Sequence, residues 1–341
     1  MMNSDPVDIL IHYPLNEAQL ARLAGISPRL RLDAPGPVDF GSMPADMLQR
    51  AQVLLTTKSL PQPERAPALC WVQFAYAGVE VILGHPLLER KGLQVTTLSG
   101  AVAPKVAEYA VMAMLALCHK LPLMLKHQHE KLWPTDRWDR FVPRELRGST
   151  VGLLGYGSIA REIARLLQPF QVQILATKKD MLTLADTGYT PEGTGDPQGQ
   201  LFTRLYPPQA MRSMLKLCDF VVVCLPLTDE TVGVVDAAAL DAMKPDAYLV
   251  GLGRGGQVDE EALAEALRQK KIAGAVLDVF TQEPLGPEHP LWDVENLVIT
   301  PHIAGDTLHY EELVADLFAK NLQRYLAGEP LLNLVDPAKG Y

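Results

Sequence analysis

Between an apolar run and an amphipathic stretch, the chain carries Thr150-Val-Gly-Leu-Leu-Gly155-Tyr156-Gly157-Ser158-Ile159-Ala160. No other segment restricts the fold as tightly. A hydrophobic strand that turns on glycine straight into a helix is half of a βαβ unit, and such units build parallel sheets covered by helices. Gly155 permits the tight turn, and Gly157 leaves room for a ligand to approach the main chain. Ala160 is small enough for the helix to lie close on the sheet. The free N–H groups and partial positive charge at the helix start suit a pyrophosphate. A bare GxGxxA match says little. In this strand–turn–helix context, with Tyr156, Ser158 and Ile159 completing the turn, it predicts dinucleotide binding.

The next strand end should then read the adenosine ribose, with an acid if the ligand is NAD. The sequence there is Gln173-Ile-Leu-Ala-Thr177-Lys178-Lys179-Asp180. Two ammonium groups suit the extra phosphate of NADP, so NADP is favoured over NAD. The plainer reading is a solvated basic pair at a strand end, and Asp180 offers an alternative partner for the ribose.

Around this motif the chain alternates short β-rich runs with helical spacing, in two series. The first predicts strands at 7–13, 30–32, 53–56, 70–74 and 93–97, with helices at 16–24 and 43–52. A long apolar helix is expected over 105–119. The second series predicts strands at 150–154, 173–177, 220–224, 247–250, 273–277 and 297–300, with helices at 160–167 and 260–269. Residues 132–147 read as an irregular connection. Residues 187–206, rich in Gly, Pro and Thr, read as an unusually long loop. The expected fold is α/β, with doubly wound parallel sheets. A length of 341 residues suits two domains or one large unit.

Composition narrows the partners. A formal charge of −9 argues against nucleic acid, whose binders carry a basic face. No apolar run is long enough to span a bilayer, and the first ten residues lack the pattern of a signal peptide. The four cysteines, Cys70, Cys118, Cys218 and Cys224, form no CxxC pair and suit a reducing compartment. The expectation is a cytoplasmic protein with no membrane or nucleic-acid partner and no metal site.

Four side chains stand just past the carboxyl ends of expected strands: Arg254 after 248–253, Asp278 and Glu283 after 273–277, and His302 after 297–301. Ligands of doubly wound sheets bind at that edge. An arginine holds a carboxylate by paired hydrogen bonds. A histidine exchanges a proton near neutral pH, and a neighbouring carboxylate orients it. Together they fit oxidation of a 2-hydroxy acid, or the reverse reduction. Taken singly, each has a plain alternative: Arg254 paired with Asp259 or Glu260, Glu283 in a turn before Pro284, His302 as a structural histidine. His127 and His129 stand two apart on an expected helix and make a poor metal pair.

These residues lie in GLLGYGSIA, CDFVVVCLPLTDET, VGLGRGGQVDEEAL, AGAVLDVFTQEPL and TPHIAGDT. In order and spacing the motifs resemble the D-isomer-specific 2-hydroxyacid dehydrogenase family, and more narrowly its glyoxylate and hydroxypyruvate reductases. The resemblance implies a flavodoxin-like substrate lobe, residues 1–103 with 304–341, and a Rossmann-like NAD(P) lobe, residues 104–303. It implies that Arg254 binds the substrate carboxylate and carbonyl, and that His302 is the acid/base with Glu283 behind it. Asp278 would contact the nicotinamide end. Leu225, Pro226, Thr231, Leu252, Gly253 and Gly305 would line the cofactor cleft. Tyr76, Ala77 and Gly78 would form the loop that grips the carboxylate of a small 2-oxo or 2-hydroxy acid. A homodimer is implied, and the apolar segment 105–131 is the expected contact.

Three positions depart from the family pattern. Gly251 stands where Asn is usual, Lys178 replaces the usual acid, and the 187–206 segment is long. The rival readings are a dehydrogenase for a bulkier or phosphorylated hydroxy acid, for which Lys58 is the one obvious basic residue in the N-terminal loops, and a non-catalytic NAD(P)-sensing regulator of the corepressor type.

Overall fold

A computed structural model describes residues 5–79, 82 and 84–336. The chain divides into two compact units, residues 1–102 with 307–341, and residues 103–306.

The first unit runs β1 (Val7–Ile11), α1 (Glu17–Ala24), β2 (Leu30–Asp33), α2 (Ala45–Arg50), β3 (Val53–Thr56), β4 (Trp71–Phe74) and β5 (Gln94–Thr96). Its strands form a five-stranded sheet ordered β2-β1-β3-β4-β5, parallel at every pairing. This is the flavodoxin-like order, with its switch point between β1 and β3. Strands β1, β3 and β4 are buried along their whole length, as expected where both faces are covered. Helix α1 starts where Asn16 and Gln19 exchange side-chain and main-chain hydrogen bonds, a capping box.

The second unit contains α3 (Ala103–Cys118), α4 (Leu121–His129), α5 (Arg137–Arg140), β6 (Thr150–Leu154), α6 (Ser158–Leu167), β7 (Gln173–Thr177), β8 (Arg204–Tyr206), α7 (Met211–Leu215), β9 (Phe220–Val223), α8 (Ala237–Asp241), β10 (Tyr248–Gly251), α9 (Glu260–Arg268), β11 (Gly274–Leu277) and β12 (Leu297–Ile299). The chain then returns to the first unit as α10 (Tyr310–Ala327). The seven strands are ordered β12-β11-β10-β9-β6-β7-β8 and all pair in parallel. That is the Rossmann order with one added strand, and the order reverses between β6 and β9. Helix α3 packs its buried face on α6 and on β10 and β11.

One expectation needs correction. Residues 187–206 are not loop to the end, because Arg204–Tyr206 pairs with β7 as an edge strand. Three residues beginning with a charge carry no apolar run, so periodicity gave no sign of it. Among the described residues, no single helix is long and apolar enough to cross a membrane, and no cluster of His, Cys, Asp and Glu is arranged to hold a metal.

Candidate active site

The fingerprint turn sits at the β6/β9 switch point. Gly155 has φ +89, a left-handed value that an L side chain rarely adopts. Its N–H donates to Thr177 Oγ1 at the end of β7, and a Cβ there would stand 2.9 Å from Leu225, in the turn after β9. Gly157 is different: a Cβ would meet nothing within 4 Å. Packing does not require that glycine, whereas a ligand lying on the main chain would. No side chain caps α6 at Gly157, so its first N–H groups are left for a ligand. The residues therefore fit a dinucleotide pyrophosphate. Tyr156 contributes only main chain to this face, since its buried side chain donates to Asp196.

Just past the end of β7, Lys178 is half-buried and its main-chain N–H donates to the Tyr206 carbonyl. Lys179 is exposed and paired with Glu230, 2.7 Å away. Asp180 accepts from the N–H groups of Leu182 and Thr183, so it holds a turn. Of the two lysines, Lys178 is the better candidate for a phosphate, because Glu230 already neutralises Lys179.

The four strand-end residues converge around loops that interlock. His302 Nδ1 lies 2.7 Å from Glu283 Oε2, and Glu283 Oε1 accepts from Phe280 N–H. Burial works to raise the Glu283 pKa. The hydrogen bonds from His302 and Phe280, with the charges of His302 and Arg254, outweigh it and hold the carboxyl below its ordinary range. Arg254 donates to the Gly253 carbonyl. It is set between glycines because a Cβ at Gly255 would run into the Phe280 carbonyl, and one at Gly253 into the Gln257 amide. Those close approaches fix the arginine loop against the glutamate loop.

Two buried polar residues do the fixing. Gln257 accepts from Arg254 N–H and donates to the carbonyls of Leu225 and Pro226, tying the loop after β10 to the turn after β9. That turn is closed on itself by Thr231, which donates to Pro226 O. Asp278 accepts from Thr300 Oγ1 and Ile303 N–H on one oxygen and from Ala304 N–H on the other. Thr300 in turn meets Tyr109 of α3 at 2.6 Å. The structure thus places Asp278 behind the histidine loop as its anchor. Sequence reasoning missed Gln257, Thr300 and Tyr109; Gln257 and Thr300 lie inside quoted motifs, but nothing local signals their partners.

Leu252, buried, donates its N–H to Val223 O at the floor of the same edge, and Gly305 follows the anchored Ala304. At Gly251, a Cβ would approach Leu277 Cδ2 to 2.6 Å, so Leu277 fills the space a side chain would need. In the first unit, Tyr76, Ala77 and Gly78 follow β4. Tyr76 is exposed, with the Tyr310 ring 6.0 Å away and Lys58 Nζ 5.6 Å from its centroid.

Known proteins resemble this chain in sequence and fold. The sequence profile of the D-isomer specific 2-hydroxyacid dehydrogenase NAD binding domain matches residues 111–304. A glyoxylate reductase from Thermofilum pendens is 35% identical over 250 residues, covering 72% of this chain and 68% of its own. A solved family member from Aeromonas salmonicida is 31% identical, with a TM-score of 0.78 over 98% of this chain and 100% of that one. Another from Xanthobacter autotrophicus, in complex with NADPH and MES, is 27% identical, with a TM-score of 0.80 over the same shares. With the switch-point glycines, the interlocked strand-end loops and these likenesses in agreement, the chain belongs to the D-isomer-specific 2-hydroxyacid dehydrogenase family, as an NAD(P)-dependent oxidoreductase.

Proposed function

We propose that this protein reduces a small 2-oxo acid, of the glyoxylate or hydroxypyruvate kind, to its 2-hydroxy acid with NADPH. The observation that carries the reading is the 2.7 Å His302–Glu283 pair beside Arg254, with Glu283 held ionised. Bound nicotinamide supplies the hydride. Arg254 holds the substrate carboxylate by charge-assisted hydrogen bonds. His302, its Nδ1 taken by Glu283, offers Nε2 to the carbonyl oxygen and gives it a proton as the alcohol forms. Asp278 and Gln257 hold the loops that carry these groups. Residues 1–103 with 304–341 serve as the substrate-binding part, and residues 104–303 as the coenzyme part. Lys178 supports NADP, and the NADPH complex of the Xanthobacter relative agrees with that choice.

His302→Gln is expected to lower turnover on the order of a thousandfold, the usual worth of a placed acid, with the coenzyme dissociation constant unchanged. Retained turnover would overturn the assignment. The protein is also proposed to pair with a second copy through α3 and α4, where Met112, Leu121, Met124 and Leu125 are exposed. Sedimentation as a monomer at micromolar concentration would exclude this.

A further inference from the structure

The connection from β7 to β8 joins parallel strands, which usually requires a crossover helix. Here it has no helix, and residues 184–199 close on themselves as an Ω-loop. Across the neck, Asp186 N–H donates to Pro197 O at 2.9 Å. Gly193, Gly195 and Gly199 all have positive φ, and Gly199 lies too close to the Leu184 carbonyl for a Cβ. Glycines this frequent make a loop expensive to order from its own sequence. The ordering groups lie elsewhere.

They are buried charges on α6. Arg161 is 1% exposed and donates to Leu184 O at 2.6 Å and Asp196 O at 2.5 Å, one on each side of the neck. Glu162, equally buried, accepts from Gly195 N–H and from Arg165. Charges this deep are unfavourable unless each is bonded, and here the loop supplies the partners.

The loop sends one contact back. Asp196, 5% exposed, accepts from the N–H groups of Gln200 and Leu201, and its Oδ2 accepts from the Tyr156 hydroxyl at 2.7 Å. Burial works to raise the Asp196 pKa, but these bonds and the charge of Arg161 hold it below its ordinary range. An ionised carboxylate makes a strong acceptor for a phenol. The Tyr156 ring is further held by Arg161, 5.0 Å from its centroid, and by Phe202 edge-on at 5.3 Å. Tyr156 stands between Gly155 and Gly157, whose main chain must keep its shape for a pyrophosphate to lie on it. Neither glycine has a side chain to hold that shape. The tyrosine between them has one, and it is anchored in the loop.

We propose that the Ω-loop is a clamp on the diphosphate turn: Asp196 holds Tyr156, and through it the main chain between the two glycines. Coenzyme affinity then depends on the loop, and by linkage a bound coenzyme steadies the loop in return. The inference rests on the dinucleotide reading of the turn and goes beyond it, by giving the long β7–β8 connection a task. Asp196, Arg161 and Glu162 are positioning residues that act through Tyr156 and α6.

The test combines steady-state kinetics with calorimetric titration of the whole chain. Asp196→Ala, which removes the acceptor of Tyr156, is expected to raise the KM and dissociation constant of NADPH about tenfold, the effect of a lost charged hydrogen bond, with kcat unchanged. Tyr156→Phe, which removes only the hydroxyl, should raise the dissociation constant by a smaller factor. ADP, which carries the diphosphate without nicotinamide, should lose affinity in the same order. In the wild type, ADP should slow hydrogen exchange over residues 184–201, a measurement that needs no variant to fold. A loop of purely structural worth would lower kcat through inactive protein and leave KM alone; that result would overturn the proposal, as would loop exchange indifferent to ADP. If the wild type binds neither NADPH nor NADH, the dinucleotide reading itself fails and takes the clamp with it.

Discussion

The second unit has two ends that solve the same problem in different ways. At the end proposed for acid–base chemistry, His302, Glu283 and Arg254 sit on loops locked by buried groups, Asp278 behind the histidine and Gln257 behind the arginine. At the end proposed for the adenosine, Lys178 is half-buried and Lys179 exposed, while the buried charges Arg161 and Glu162 belong to α6. The first arrangement fixes atoms to within a hydrogen bond, which proton transfer demands. The second fixes only a surface, which is enough to choose between coenzymes. Changes at the first end should therefore act on turnover, and changes at the second on affinity and preference.

The largest effect expected from breaking this contrast is at Arg254. Arg254→Gln should lower kcat/KM for the 2-oxo acid about a hundredfold, the worth of a charged hydrogen-bond pair, and leave coenzyme affinity alone. Steady-state kinetics at saturating coenzyme reads this directly, and an effect confined to coenzyme KM would merge the two ends.

At the other end, Lys178→Asp should shift the NADPH-to-NADH ratio of specificity constants by about tenfold toward NADH, with kcat little changed. Adding Lys179→Ala should contribute less, since Glu230 already pairs with that lysine. An unmoved ratio would make both lysines surface decoration.

The smallest effect concerns pH. The folded-state pKa of Glu283 lies below its ordinary 4.5. A depressed carboxylate contributes stability above the unfolded value, and that contribution is lost as pH falls through the folded one. Because Glu283 is partly solvated, the contribution is small. Acid titration of unfolding should show Glu283→Gln and wild type drawing together as pH falls below the ordinary 4.5; a constant gap would contradict the assignment.

How much of this was legible in the sequence follows the same divide. Strands such as Val53–Thr56 and Phe220–Val223 were readable because a parallel sheet covered on both faces demands unbroken apolar runs. Arg254, Glu283 and His302 stood out as candidates because each lies a few residues past such a run. The partners of Asp278 and Gln257 were not. Their bonds reach residues 26 and 32 positions away, and no local pattern records such pairs. A long loop over 187–206 was expected, but its attachment was hidden for a related reason: Arg161 and Glu162, which hold it at Asp196 and Gly195, read in sequence as ordinary surface charges of a helix.

The central claim is best tested by following coenzyme oxidation by the purified wild-type protein with glyoxylate, hydroxypyruvate, pyruvate and phenylpyruvate, in parallel with NADPH and NADH. The account predicts turnover with glyoxylate or hydroxypyruvate, faster with NADPH. Tight coenzyme binding without turnover on any of the four would contradict it.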